Sequence, residues 1–293
     1  MEAADVTASA RRSAGRRLAG LFHGRPRLQV GALLAGPIGW LAIGYLGSLL
    51  VLLITAFWSL GELSGEIEHT FTLDNFKTIF ESPVYREIAG RTVAMAAAVT
   101  VADAILAFPI AFFMAKVASP RVKGLLVVAV LLPLWSGYLV KVYTWRTIMS
   151  GGGVLSWVGL GAPTDDLVRI WLVMTYLWLP YMIIPLYAGL ERIPNSVLSA
   201  SEDLGAGPGY TFRRVILPLV FPAMVAGSIF TFSLTLGDFI TPLLVSKTQL
   251  IGNVVYSNFT TDLPLAAAFS IVPIIVMVLY LLIARRLGAF EHL

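Results

Sequence analysis

The 293-residue sequence contains no cysteine, and only 13% of its residues are charged. Without cysteine there is no disulfide framework, no thiol nucleophile and no thiolate metal site. The three histidines, His23, His69 and His292, lack the spacing of a metal cluster. Soluble domains carry about 25% charged residues, so the low charge content argues against a soluble fold. We therefore predict a protein without thiol chemistry and without a metal centre.

A phosphate-binding motif is also missing. No Gly-x-x-x-x-Gly-Lys-Ser/Thr stretch occurs, and the glycines Gly151 to Gly153 are not followed by lysine. No nucleophile with its base can be assembled from the apolar segments, so no catalytic residue is predicted. The basic residues are spread over loop ends with no nucleic-acid motif near them, so no nucleic-acid partner is expected.

Long apolar segments dominate the sequence instead. Hydrophobic residues make up 57% of the chain, and the mean hydropathy is +0.81. A bilayer core of about 30 Å needs roughly 20 apolar residues per helix. Six segments are long enough: Gly31–Trp58, Thr92–Val117, Leu125–Thr147, Ile170–Leu190, Val215–Leu244 and Leu265–Ala284. They predict an all-α membrane protein with six transmembrane helices.

The charged residues between these segments predict the orientation. Six arginines precede the first segment: Arg11, Arg12, Arg16, Arg17, Arg25 and Arg27. The positive-inside rule places both termini in the cytoplasm, together with basic loops that face anionic lipid. The loop from Glu62 to Glu87 and the pair Asp165 and Asp166 are acidic and fall on the opposite side. We expect a mobile cytoplasmic arm over residues 1–28 and one transmembrane domain over residues 29–293.

The longest internal cytoplasmic segment, residues 191–214, has a helical pattern. Pro194 to Ser196 offers a helix start with Asn195 or Ser196 as the cap, and Val197, Ala200 or Ser201, and Leu204 fall on one face. The glycines from Gly205 to Gly209 predict a sharp reversal, after which Thr211 can cap the next helix. Such a short helix is marginal in water alone, so it either docks on another protein or lies on the lipid surface.

This segment resembles the signature loop of the membrane subunits of ATP-binding-cassette importers. In that loop Glu-Ala-Ala is followed after three residues by Gly, and after nine more by Ile-x-Leu-Pro. The aligned residues here are Ser199, Ala200, Ser201, Gly205, Val215, Ile216, Leu217 and Pro218. Ser199 stands where the family has glutamate, and Ser201 where it has alanine.

The resemblance implies a type I importer permease fold in a bacterial inner membrane. Glu202 and Asp203 would then lie, with the aligned residues, on a coupling helix that contacts a separate dimer of ATPase subunits. ATP and Mg²⁺ would bind to those subunits, and this chain would hold no cofactor. A second, homologous permease and an extracytoplasmic solute-binding protein are the other partners that the resemblance implies.

Further stretches look like the spermidine/putrescine permease branch. They are TLDNF from Thr72, LLPLWSGYLVKVYTW from Leu131, GDFITPLL from Gly237 and IGNVVYSNF from Ile251. They imply a polyamine or a similar small organic cation as cargo. The same machinery also serves other solutes, such as an amino-acid derivative, a sugar or an anion. An ion-gradient-driven carrier would need an internal inverted repeat, which is not evident.

Five residues are candidates for a cation pathway. Asp238, near the outer end of the fifth segment, either pairs with an ammonium group, is a helix-end aspartate in contact with external water, or is bonded to a neighbouring helix. Trp135, Tyr138 and Tyr143 lie in an interrupted third helix, and such aromatic rings either attract ammonium groups or anchor the helix at the interface.

The fifth candidate, Asp103, lies in the middle of the second segment. It either faces the pathway, neutralises Lys141 or hydrogen-bonds within the helix bundle.

Overall fold

The computed structural model describes residues 26–61, 65–157, 159 and 161–286. The predicted arm lies outside these residues except for its last three, Pro26 to Leu28, where the first helix begins. The chain divides into two compact units, Met1–Thr55 and Ala56–Leu293. The described part of the first unit consists of α1 (Pro26–Trp40), a π-helical stretch (Leu41–Gly47) and α2 (Ser48–Thr55).

The second unit begins with two short antiparallel strands and continues with helices. The elements are β1 (Ser59–Leu60), β2 (Ile67–Glu68), α3 (Asp74–Glu81), α4 (Pro83–Phe112) with a π-helical end (Phe113–Val117), α5 (Pro120–Trp135), α6 (Tyr138–Ile148), α7 (Val154–Trp157), α8 (Asp166–Arg192), α9 (Asn195–Asp203), α10 (Pro208–Thr211) with a π-helical stretch (Phe212–Ile216), α11 (Leu217–Gly237), α12 (Ile240–Val245), α13 (Ile251–Asn258) and α14 (Leu263–Arg286). In lipid only helices and closed barrels satisfy all backbone polar groups, which is why the apolar segments are helical.

Within the described residues, five helices are long and apolar enough to cross a membrane. We call them span 1 (Leu33–Thr55), span 2 (Pro83–Val117), span 4 (Asp166–Arg192), span 5 (Pro208–Gly237) and span 6 (Leu263–Arg286). Helices α5 and α6 form a sixth, span 3, which bends by 92° between Trp135 and Tyr138. With this bent pair counted as one span, the number agrees with the six predicted segments, and the predicted interruption of the third is confirmed.

Span 5 differs from the prediction. The sequence indicates one segment that runs to Leu244, but helix α11 ends at Gly237 and α12 begins at Ile240. The backbone at Asp238 is extended (φ −74°, ψ 120°), which interrupts the helical hydrogen bonds. The apolar run therefore contains a break that its hydropathy does not reveal.

Spans 2, 4 and 5 form the packed core of the second unit. One cluster of buried residues joins Met95 and Val99 of span 2 to Met174 and Leu177 of span 4. A second cluster contains Ala107, Ala111, Met182, Leu186, Leu190 and Val220. Small residues allow spans 4 and 5 to approach closely, as expected where lipid supplies no hydrophobic driving force between helices.

Gly189 marks the closest approach. A Cβ atom at Gly189 would lie 2.4 Å from the Cβ of Ala223 and 3.3 Å from a methyl group of Val220. One built at Gly227 would lie 2.8 Å from the sulfur of Met182. Both positions therefore need glycine because a side chain would not fit. The backbone conformation is not the reason, because neither residue has a positive φ.

We expect Gly189→Ala to lower the thermal unfolding temperature of the purified protein, because the added methyl overpacks the interface of spans 4 and 5. Overpacking of this kind costs about 1–3 kcal/mol. Gly90→Ala in span 2 is the matched control, since nothing lies within 4 Å of a Cβ built there. Equal unfolding temperatures for the two variants would contradict the close approach.

Candidate functional site

A polar network joins the bend of span 3 to the break after span 5. The Tyr138 hydroxyl donates to Oδ1 of Asp238 at 2.6 Å, and the Thr241 hydroxyl donates to Oδ2 at 2.6 Å. The two hydroxyl oxygens lie 2.7 Å apart. Tyr138 is the first residue of α6, so the bend in span 3 carries its side chain to Asp238.

The break also orients Asp238. Its Oδ1 accepts from the backbone N–H groups of Ile240 (2.9 Å) and Thr241 (3.1 Å), which satisfies donors in the first turn of α12. Asp238 is buried, and among the described residues no lysine or arginine forms an ion pair with it. Its carboxylate is hydrogen-bonded on both oxygens, but within the described part of the chain it is not paired with a basic side chain.

Aromatic rings extend from this network along the core. Tyr138 stacks on Trp178 with ring centroids 5.9 Å apart, Trp178 lies 6.0 Å from Tyr181, and Tyr181 lies 6.4 Å from Phe230. We call these four residues the aromatic row. Phe230 precedes Asp238 by eight residues, which corresponds to about 12 Å of helix. Phe230 is exposed, so the row opens on the surface of span 5.

The other predicted pathway residues are not brought to this network. Trp135, the last residue of α5, is 88% exposed, and Tyr143 is 50% exposed. Asp103 lies on a stripe of span 2 with Met95, Val99 and Ala107. Because Met95 and Val99 belong to one apolar cluster and Ala107 to the other, Asp103 sits at their junction.

Asp103 is fully buried, and in the described part of the chain neither of its carboxyl oxygens has a hydrogen-bond partner. The two bonding roles expected for it, a pair with Lys141 and a bond within the bundle, are therefore both wrong. Span 4 carries two further buried polar atoms without a partner, Oγ1 of Thr175 and Nε1 of Trp178. Unpaired buried groups of this kind cost about 1–3 kcal/mol each.

Sequence reasoning missed Trp178, Tyr181, Phe230 and Thr241. Trp178 and Tyr181 are one turn apart on span 4, a spacing that predicts a shared helix face. Asp238 precedes Thr241 by three residues, a spacing at which the Asp238 side chain can cap the short helix that contains Thr241. The contacts of Trp178 and Thr241 with Tyr138 depend on the bend of span 3, for which no local signal gives the direction.

A second candidate site is the segment from α9 to the start of α11. Helix α9 ends in a Schellman motif: the N–H of Ala206 donates to the carbonyl of Ser201 at 3.1 Å, and that of Gly205 to Glu202 at 2.8 Å. Gly205 has φ +79°, a left-handed conformation that favours glycine. The predicted reversal at this glycine is confirmed.

The caps of this segment differ from the prediction. Helix α9 begins at Asn195 with Pro194 at the N-cap position, and no side chain bonds to the cap. Thr211 does not cap a helix; its buried hydroxyl lies 2.9 Å from that of Ser201. This contact ties α9 to α10 and replaces the expected cap.

Two lysines fix the start of the segment to the core. Lys116, at the end of span 2, donates to the carbonyl of Ile193 at 2.5 Å, and Lys123 pairs with Glu191 at 2.7 Å. The end of span 4 and the residue that follows it are therefore held by spans 2 and 3. The segment includes the start of span 5, with Leu217 and Pro218 in the first turn of α11.

One face of the segment is apolar and open. Val197, Ala200, Leu204 and Tyr210 line a recess of about 580 Å³, as the helical pattern predicts for the first three. Leu204 is 88% exposed. Ser199, Glu202 and Asp203 are also exposed. The segment thus presents an apolar surface with acidic side chains beside it.

Comparison with known sequences finds one family and two informative relatives. Residues 30–290 match the family described as "Binding-protein-dependent transport system inner membrane component". The chain is 44% identical over 300 residues to the inner membrane ABC transporter permease protein YdcU of Escherichia coli (strain K12), covering 94% of this chain and 95% of the relative. It is 33% identical over 264 residues to the spermidine/putrescine transport system permease protein PotB of the same strain, covering 85% and 94%.

Solved structures share the fold. A chain of a bacterial alginate ABC transporter in complex with an alginate pentasaccharide-bound periplasmic protein superposes with a TM-score of 0.72 at 18% identity. The match covers 90% of this chain and 96% of that chain. At this identity the match shows the architecture alone.

We expect Asp103→Ala to raise the thermal unfolding temperature of the purified protein, because it removes two buried oxygens without partners from an interface already lined by alanines. The expected gain is about 1–3 kcal/mol. Asp103→Asn is the control, since it keeps an unpaired polar group and should change the temperature little. A lower temperature for Asp103→Ala would show that the carboxyl group has a stabilising partner.

Proposed function

The chain belongs to the family of binding-protein-dependent transport system inner membrane components, and from that premise we propose that it forms half of the translocation pathway for a polyamine or a similar small organic cation. As a family member it is a permease subunit of an ABC importer, a multi-pass inner membrane protein and a transport subunit rather than an enzyme. The cargo and the roles of individual residues are the proposed part.

The observation that carries the cargo proposal is the position of Asp238 at one end of the aromatic row. Its buried carboxylate forms no ion pair with a basic side chain of the described residues. Aromatic faces attract ammonium groups, and the row continues about 12 Å from that charge. An alkylammonium chain could therefore pass from ring to ring under the potential of Asp238. The 33% identity to a spermidine/putrescine permease supports the same cargo.

The row forms one wall of a pathway rather than a closed channel. Phe230 is exposed and Trp178 is buried, so one end of the row is open on the surface of the unit. A second, homologous permease would supply the facing wall. This geometry supports a pair of permease subunits in which each contributes half of the route.

The α9–α10 segment is proposed as the contact for the ATPase dimer. Its apolar recess and exposed Leu204 favour docking on a protein surface. Because the two lysine anchors and the Ser201–Thr211 contact leave the segment little freedom, a push on α9 would be passed to spans 2 to 5. Alternating access would follow from such rigid-body movement. ATP and Mg²⁺ would be held by the ATPase subunits.

The charge distribution supports an orientation with both termini and α9 in the cytoplasm. Arg192 ends span 4, Arg213 and Arg214 lie near the start of span 5, and Arg285 and Arg286 end span 6. Because successive spans run in opposite directions, these arginines would lie on one side of the membrane and face anionic lipid headgroups. The hairpin of β1 and β2 and helix α3, with Glu68, Asp74 and Glu81, would then face outward as the docking surface for a solute-binding protein.

We expect ATP hydrolysis by the complex in lipid nanodiscs, with its binding protein, to be stimulated by spermidine or putrescine and not by an amino acid or an alginate oligosaccharide. Tyr181→Leu should raise the half-stimulating polyamine concentration by about 2- to 30-fold, because it removes one ring of the row.

Tyr176→Leu is the matched control, since Tyr176 lies five residues before Tyr181 on span 4 and packs on Trp145 outside the row. Stimulation by another solute would keep the importer and overturn the polyamine proposal. Equal shifts in the two variants would overturn the role of the aromatic row.

We expect Leu204→Asp to reduce the amount of ATPase subunit that copurifies with the permease by about tenfold, because it places a charge in the proposed apolar contact. Leu73→Asp is the control, since Leu73 is also exposed but precedes α3 in the first loop. Unchanged copurification of the Leu204→Asp variant would contradict docking through this face.

A further inference from the structure

A separate cavity of about 330 Å³ lies between α9–α10 and the inner end of span 2. Phe108 and Phe112 contribute the wall on span 2, and Phe212 with Pro208 the wall that follows α9. The rings of Phe108 and Phe112 lie 6.3 Å apart, and those of Phe108 and Phe212 meet edge to face at 5.1 Å. The volume falls within the range of small-molecule sites, about 300–1,000 Å³.

One carboxylate also lines this cavity. Glu202 of α9 is the only charged residue among the described residues that line the cavity. Its carboxylate has no ion pair and no side-chain hydrogen bond within the described part of the chain. No lysine or arginine of the described residues reaches the cavity wall to compete for that charge.

Aromatic faces around a single carboxylate are suited to one kind of ligand. The rings attract an ammonium group and contact its alkyl chain, while the carboxylate pairs with the charge. An anion would face Glu202 without a counter-charge, and a neutral apolar ligand would leave the carboxylate unused. The lining therefore suits an alkylammonium cation better than an anion.

We propose that this cavity, lined by Phe108, Phe112, Phe212 and Glu202, is a binding site for a free alkylammonium cation that regulates transport from the α9 side of the membrane. The regulatory part rests on the proposed coupling role of α9. A ligand here touches span 2 on one side and α9 on the other, so it resists their relative movement. Its occupancy is thereby linked to the transport cycle.

The site shares Ala206 with the recess proposed as the ATPase contact, but the other residues that line the two cavities differ. Leu198 and Glu202 are four residues apart and share one face of α9, which lines the cavity. Val197, Ala200 and Leu204 line the other recess. The ligand and the ATPase subunit can therefore occupy the same helix at the same time, as regulation requires.

The test uses the whole importer complex in nanodiscs of phosphatidylglycerol, a lipid without an amine headgroup, and omits the solute-binding protein. Radiolabelled 1,4-diaminobutane binding is measured by equilibrium dialysis, and basal ATP hydrolysis is titrated with the same amine. We expect saturable binding and a saturable change in hydrolysis. Glu202→Gln and Phe212→Leu should each raise the half-saturating concentration about tenfold.

Asp203→Asn is the matched control, because it removes the neighbouring carboxylate of α9, which does not line the cavity. Its half-saturating concentration should equal that of the unaltered complex. An equal shift in Asp203→Asn would mean that only the surface charge attracts the amine, and no shift in Glu202→Gln or Phe212→Leu would overturn the site.

The measurements of amine binding and of ATP hydrolysis distinguish failure of this site from failure of the cargo proposal. If this importer carries a sugar, amine binding that depends on Glu202 persists and only the cargo proposal falls. If binding persists and hydrolysis does not respond, the regulatory part is overturned. A repeat with phosphatidylethanolamine distinguishes the source of the ammonium group: loss of diaminobutane binding there would assign the site to a lipid headgroup and overturn a free cation as its ligand.

Discussion

The close packing of spans 2, 4 and 5 is the constraint on which the rest of the structure depends. Lipid provides no hydrophobic driving force between helices, so the core is held by van der Waals contact, and Gly189 and Gly227 permit that contact. Span 4 carries Trp178 and Tyr181 to the aromatic row and ends at Arg192, directly before α9. One continuous helix therefore connects the two candidate sites.

Much of the fold could be predicted because its signals are local. Hydropathy gave the number of spans, and Pro133 with Gly137 indicated that the third is interrupted. The reversal after α9 was predictable because glycine readily adopts a left-handed backbone, and Gly205 does so in the structure. Asp238 was identified as a candidate because an ionisable group near an apolar segment needs a physical reason to be there.

The remainder depends on tertiary contacts that no local pattern contains. The end of span 5 was missed because Ile240 to Val245 is as apolar as the helix before it, so hydropathy continues across the break. Trp178 was overlooked because its importance comes from the Tyr138 ring stacked on it. The isolation of Asp103 is likewise visible only once the helices around it are placed, since its sequence position suggests a partner that the bundle does not supply.

The right-angle bend in span 3 also bears on how the chain is made. Tyr138, at the bend, donates a hydrogen bond to Asp238, which is synthesised 100 residues later, after spans 4 and 5. Until then the bend can be held by the contacts of α6 with spans 2 and 4, such as the stacking of Tyr138 on Trp178, but not by this hydrogen bond. The hydrogen-bonded network at the bend is therefore completed late, and a ribosome-bound chain that stops before span 5 carries Tyr138 without the carboxylate that accepts its hydroxyl in the finished protein.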